Sequence, residues 1–113
     1  MDTYAPSLHE FRALLNTAMV SFSSPRRRAF LEPKLIEPYK QLLRWEYGQD
    51  EECTAWVFAD LGERDVIAQY CRGGFGSLGS PWGINFRDAN QFGQDSGWYC
   101  TLEELVTDWG AAE

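Results

Sequence analysis

Two seven-residue stretches rich in aromatic and β-branched residues constrain the fold of this chain more than any other feature. The first covers residues 53–59 (CTAWVFA) and the second covers residues 65–71 (DVIAQYC). Residues of these types favour the pleated, half-buried surface of a β-sheet. The short connection between the stretches, residues 61–64 (LGER), is typical of a hairpin turn. We therefore predict an antiparallel hairpin in the middle of the chain.

Two further strands are predicted after this hairpin. Residues 82–87 alternate between two faces, with Trp82, Ile84 and Phe86 on one face and smaller or polar residues on the other. A short fourth strand is expected over residues 97–100. The core is predicted to contain one aromatic residue of the first strand and apolar residues from elsewhere: Trp56 or Phe58, with Leu15, Ile84 and Phe86.

Capping boxes predict the two ends of the chain to be helical. Ser7-Leu8-His9-Glu10 predicts a helix over residues 7–22, and Thr101-Leu102-Glu103-Glu104 predicts a short helix that ends at Trp109 before Gly110. Pro38, a residue tolerated in a first helical turn, predicts another helix over residues 38–47. Arg26, Arg27 and Arg28 have no interleaved aromatic residues, so they favour a solvated helix start over a nucleic-acid patch.

The order of these elements indicates the fold class. Two helices, four strands and a helix, with short connections in the second half, predict an α+β fold. We expect the N-terminal helices to pack on a mainly antiparallel four-stranded sheet, followed by a short C-terminal helix. A chain of 113 residues is the usual size of one domain, so residues 1–113 are interpreted as a single domain.

The charge of the chain is distributed unevenly. Residues 1–48 carry a net charge of +2, whereas residues 49–113 carry −9. An acidic surface repels nucleic-acid phosphate and attracts basic proteins, although the same carboxylates could serve only to keep a small domain soluble. No apolar stretch has the length of a membrane span and the N-terminus does not resemble a signal peptide, so we expect a cytoplasmic protein with no membrane or nucleic-acid partner.

The residues with reactive side chains give little support for catalysis. His9 is the only histidine and lies far in sequence from each cysteine. An odd number of cysteines without a C-x-x-C pair predicts reduced, mostly buried thiols rather than a disulfide framework or a zinc site; they are Cys53, Cys71 and Cys100. Residues 74–79 match G-x-G-x-x-G, but a strand rather than the required helix is expected to follow. We predict neither a cofactor nor a bound metal, and no enzyme activity.

Four aspartates lie at strand ends or in loops of the predicted fold: Asp60, Asp65, Asp88 and Asp95. Aspartate is common in turns because its side chain bonds to nearby backbone groups. An acidic binding face is the second interpretation, and catalysis by carboxylates is the third.

Two loops, residues 73–83 and 92–99, combine many glycines with aromatic residues. Their aromatic residues Phe75, Trp82 and Trp98 either cap the core or anchor a partner. Gly74-Phe75-Gly76, Pro81-Trp82-Gly83, Gly93 with Asp95-Ser96-Gly97-Trp98-Tyr99, and Leu102-Glu103 together resemble a pattern in small bacterial proteins. Some of those proteins are immunity proteins of toxin systems, and the resemblance covers residues 53–109.

The resemblance and the charge together suggest an immunity-type or inhibitor protein that neutralises a basic toxin or enzyme with its acidic half. The alternative is a small-molecule or peptide-binding module that uses the two glycine-rich loops as a pocket. For the first hypothesis we expect the partner to contact Asp60, Glu63, Asp65, Phe75, Trp82, Asp88, Asp95 and Trp98.

Overall fold

The chain folds into a β-sheet with helices packed against one face. The structure is a computed structural model that describes residues 5–45, 52–62, 65–72, 79–87, 91–92 and 97–109. The helices are α1 (Leu8–Val20), α2 (Pro25–Leu31) and α3 (Leu102–Trp109), and a 3₁₀ turn covers Glu32–Lys34. The strands are β1 (Leu35–Trp45), β2 (Glu52–Asp60), β3 (Val66–Tyr70), β4 (Trp82–Phe86), β5 (Gln91–Phe92) and β6 (Gly97–Tyr99).

The order of the strands in the sheet is β5-β1-β2-β3-β4-β6. Five of them pair antiparallel, and the two-residue β5 pairs parallel to β1. The predicted hairpin is confirmed as β2 and β3, and the predicted alternating strand is β4. The α+β class is therefore right, but the expected count of four strands is too low.

Helix α1 begins where its capping box predicts. The Ser7 hydroxyl accepts a hydrogen bond from the Glu10 backbone N–H, and the Glu10 carboxylate accepts one from the Ser7 N–H. Its buried residue Phe11 lies at the centre of an aromatic cluster on the sheet, with ring centroids 5.6–5.9 Å from those of Trp56, Phe58 and Tyr70. These contacts fix α1 across the middle of the sheet.

Helix α2 confirms the interpretation of the arginine triplet as a helix start. Pro25 is its first residue, and the Ser24 hydroxyl accepts a hydrogen bond from the Arg27 backbone N–H. Arg26 and Arg28 are exposed on this helix.

The predicted helix over residues 38–47 is wrong, because β1 occupies Leu35–Trp45. Pro38 lies where the pairing register of β1 with β2 shifts, between Leu35 and Tyr39. Proline is tolerated at such an irregularity because no ladder hydrogen bond is needed from its nitrogen. Beyond it, β1 pairs residue by residue with the buried strand β2, and this pairing outweighs the local helical signal.

The predicted core is right except for Phe86. Trp56 and Phe58 are buried, and the half-buried Leu15 and Ile84 pack against the same cluster. Phe86 is 49% exposed, whereas Trp82 on the same face is buried. Trp82 is the first residue of β4 and packs in the core, and Phe86 is the last residue of the strand.

Candidate functional site

A carboxylate–arginine cluster joins the β2–β3 turn to the end of β4. The Arg87 guanidinium lies 3.1 Å from the Asp60 carboxylate and 3.8 Å from that of Asp65. The Asp60 carboxylate also accepts a hydrogen bond from the Gly62 N–H at 2.8 Å. The Gly62 N–H and the Arg87 guanidinium together lower the pKa of Asp60. Asp60 therefore stabilises the turn, whereas the side chain of Asp65 is 77% exposed.

A row of amide side chains lies behind this cluster on the sheet face away from the helices. Asn85 donates to the Gln69 carbonyl, Gln69 donates to the Gln41 carbonyl, and Gln41 donates to the Arg87 backbone carbonyl. Gln69 is fully buried and Asn85 nearly so. Buried amides are almost always hydrogen-bonded, and the last bond of this row is made to the Arg87 backbone. The row therefore holds the backbone of Arg87 in place at the end of β4.

An apolar groove of about 280 Å³ lies between the end of β4 and the last turn of α3. We call it the Phe86 groove; its lining includes Val66, Ile84, Phe86, Tyr99, Asp108 and Trp109. Val66 follows directly after Asp65 in the chain, so the groove runs from the β2–β3 turn to α3. Phe86 contributes a half-exposed aromatic ring to the lining of this groove.

Two carboxylates follow one exposed face of α3, and the second of them, Asp108, lines this groove. Glu104 and Asp108 are one helical turn apart, and within the described part of the chain neither forms an ion pair with a basic side chain. The Tyr99 hydroxyl donates a hydrogen bond to Asp108. Burial, followed by this contact, raises the pKa of Tyr99 to about 12.

A polar cleft of about 720 Å³ lies on the other side of Tyr99 and Asp108. Its lining includes Ser23, Arg27, Ser80, Trp98, Tyr99 and Glu104. At its base the Glu103 carboxylate accepts hydrogen bonds from the backbone and hydroxyl of Ser23, from the Ser24 N–H and from Arg27. These donors lower the pKa of Glu103 and join α3 to the start of α2.

The two described tryptophans of the predicted partner site are packed in different ways. Trp82 is 7% exposed and lies against Phe58 and Tyr70. It is therefore part of the core, which is the first of the two interpretations given for this residue. Trp98 is partly buried and covers Gly83 on the opposite face, where it packs against Leu43, Ala55 and Cys71.

The remaining predicted contact residues are Glu63, Phe75, Asp88 and Asp95, and they lie outside the described residues. Sequence reasoning missed Phe86 as an exposed residue, and it missed Tyr99, Glu104, Asp108 and Trp109. The one local signal was Asp108, an acidic residue in the last turn of a helix where a basic one is favoured.

The reactive side chains that the structure describes are not gathered into one place. His9 is exposed in the first turn of α1. Cys71 is buried as expected, but Cys100 is exposed, and the side chain of Cys53 lies outside the described residues. The Cys100 thiol donates to the Glu104 carboxylate, and this contact raises its pKa. Among the residues that the structure describes, no cluster of His, Cys, Asp or Glu side chains could hold a metal ion.

Comparisons with known proteins found no match to the chain among protein-family models, curated proteins or solved structures. Of the helices in the described ranges, none has both the length and the apolar character needed to cross a bilayer.

Proposed function

We propose that this protein is an immunity-type or inhibitor protein that binds a basic toxin or enzyme through its acidic surface. The carrying observation is the pair of carboxylates on α3, Glu104 and Asp108, which form no ion pair with a basic side chain in the described residues. Like charges one turn apart repel each other, and Asp108 also lies at the negative end of the helix dipole. A basic partner would relieve both effects.

The distribution of ion pairs supports this direction of binding. In the N-terminal half, Arg12 and Arg28 pair with Glu37 and Glu32, whereas Arg27 and Arg44 pair with Glu103 and Glu52 of the second half. In the C-terminal half, a single arginine faces both Asp60 and Asp65. Among the described carboxylates, Asp65 shares one arginine with Asp60, and Glu104 and Asp108 pair with no basic side chain. Negative charge at the β2–β3 turn and on α3 would accelerate encounter with a basic protein.

The first step of the test is affinity purification of the protein from its native host, with mass spectrometry of the proteins that co-elute. A basic protein whose activity is abolished by the purified chain is the expected result. An acidic or neutral partner, or a partner whose activity is unchanged, would contradict the proposal.

The second step uses two triple variants that change the net charge equally. One neutralises the acidic surface with Asp65→Asn, Glu104→Gln and Asp108→Asn; asparagine is chosen because residue 65 has a φ of 57°, which asparagine tolerates. The control carries Glu32→Gln, Glu37→Gln and Glu52→Gln. We expect the first variant to associate more slowly with the partner at low salt and to depend less on salt, while the control keeps the wild-type rate. Equal effects of the two variants would show that only the total charge matters.

A small-molecule or peptide-binding module is the second candidate function, and the polar cleft favours it. Its volume of about 720 Å³ is within the usual range of ligand pockets, about 300–1,000 Å³. Ser80, Trp98 and Tyr99 bring the ends of the two glycine-rich loops to its wall. Saturation-transfer NMR with a fragment library would test it, using Thr107→Trp to fill the cleft. Hits that bind the variant equally well would exclude this cleft as their site.

A further inference from the structure

The sheet extends beyond the helices that cover it at the end of β4. Along one face of this strand Trp82 is 7% exposed, Ile84 is half-buried and Phe86 is 49% exposed. The last turn of α3, with Asp108 and Trp109, forms the opposite wall of the Phe86 groove. Because the Phe86 ring at this step is half-exposed, an apolar group from another molecule would gain contact area by packing on it.

The volume of the groove limits what can enter. Its volume of about 280 Å³ lies at the lower edge of the usual range for ligand pockets, about 300–1,000 Å³. The half-exposed Phe86 in its lining leaves the groove open to solvent on one side, so it suits a large apolar side chain presented by a protein surface.

The charge beside the groove selects the neighbour of that side chain. Asp108 lies in the last turn of α3, where the helix dipole is negative and where the helix has no basic residue. Tyr99 donates one hydrogen bond to its carboxylate, and a carboxylate can accept several more. Lysine or arginine is therefore the complementary group.

From these observations we infer that the Phe86 groove binds an apolar side chain of the partner that is followed or preceded by a lysine or arginine paired with Asp108. The inference rests on the proposed function, because it names the chemistry by which the basic partner is recognised. Phe86 supplies the apolar contact and Asp108 the charge, and Tyr99 holds the Asp108 carboxylate at the edge of the groove.

Three blocked tetrapeptides serve as probes for NMR titration of the ¹⁵N-labelled full chain. One has adjacent leucine and arginine, a second has leucine and glutamate, and a third has serine and arginine. We expect the leucine–arginine peptide to shift the amide signals of Phe86, Gly97, Tyr99 and Asp108 in a saturable way. The other two peptides should bind about fivefold more weakly or less, since each lacks one of the two contacts.

Three single variants complete the experiment. Phe86→Ala and Asp108→Asn should each weaken the leucine–arginine peptide about fivefold, whereas the control Glu37→Gln should not. Because Phe86 is half-exposed its replacement should leave the fold intact, and Asp108→Asn tests the inference without changing the apolar wall. Absence of saturable shifts at these residues, equal binding of the leucine–glutamate peptide, or binding unaffected by both variants would overturn the inference.

The outcome can be separated from that of the proposed function. If a basic partner is captured and inhibited but Phe86→Ala and Asp108→Asn bind it like the wild type, the groove inference fails and the proposed function stands. If the peptide occupies the groove but no basic protein is captured and inhibited, only the proposed function fails.

Discussion

Replacing Gly83 with alanine tests the packing of Trp98 on the sheet face away from the helices. A Cβ atom at residue 83 would lie 2.5 Å from two ring carbons of Trp98 and 2.7 Å from a third. Real Cβ atoms do not approach other carbons so closely, so the Trp98 ring must move. The ring also packs against Leu43, Ala55 and Cys71, and moving it loses those contacts.

The expected magnitude combines two opposing effects. Forcing an extra carbon into a packed site costs about 1–3 kcal/mol. Replacing glycine with alanine in a strand returns about 0.5–1 kcal/mol, because the unfolded chain has less conformational entropy to lose. We expect Gly83→Ala to lower the free energy of unfolding by about 1–2 kcal/mol, which corresponds to a Tm about 4–8 °C lower for a chain of this size.

The decisive measurement is the same substitution in a Trp98→Ala background. Without the ring there is no clash, so Gly83→Ala should raise the free energy of unfolding by about 0.5–1 kcal/mol. Urea unfolding followed by circular dichroism gives all four values, and Trp98→Leu can replace Trp98→Ala if that variant is too unstable. Gly62→Ala is the control: its φ of 87° and its open surroundings predict a cost that does not depend on Trp98. An equal loss from Gly83→Ala in both backgrounds would refute the argument.

Two further predictions concern ionisable groups. The pKa of Glu103 is lowered in the folded state, so its ionised carboxylate stabilises the fold. This stabilisation should be complete above the pKa that Glu103 has in the unfolded chain, and it should disappear as the pH falls through the pKa of Glu103 in the folded chain. The difference in free energy of unfolding between wild type and Glu103→Gln, from urea unfolding, should therefore shrink below about pH 4.3. A difference that stays constant down to pH 2 would contradict this. The pKa of the Cys100 thiol is raised by Glu104, so Glu104→Gln should speed its alkylation by iodoacetamide at pH 8, measured by peptide mass spectrometry, relative to a Glu32→Gln control. An unchanged rate would show that Glu104 does not suppress the thiolate.

The elements that the sequence predicted correctly depend on local chemistry. Both capping boxes lie at the starts of helices, and α3 begins with the Glu104 backbone N–H donating to the Thr101 hydroxyl. The apolar stretches became β2 and β3 because their residue types suit a buried sheet whichever neighbours they find. Such signals require only residues within a few positions of one another.

The error at β1 arose because its state depends on a distant strand. Pro38 is equally compatible with the first turn of a helix and with an irregularity in a strand, so the local sequence does not decide between them. The decision comes from β2, which is buried and needs a partner along its edge. That partner could not be inferred from residues 38–47 alone.

The candidate site could be predicted only in part for the same reason. The acidic character of the second half follows from composition, but the pairing of Asp60 with Arg87 joins residues 27 positions apart. Glu103 bonds to Ser23 and Ser24, which are 80 and 79 positions away, respectively. Which carboxylates are compensated and which remain available is therefore a property of the folded chain.

Two departures from local preference in the described residues meet at one place. Phe86 follows the alternation of a core-facing strand residue and yet is half-exposed. Asp108 occupies the end of a helix where its charge is unfavourable. Folding brings these two residues, 22 positions apart, to the lining of one groove. Departures from local preference tend to occur at functional sites, because binding recovers the stability that they cost the isolated protein. This coincidence is why the Phe86 groove, rather than the buried Trp82, is the position at which a partner should be sought.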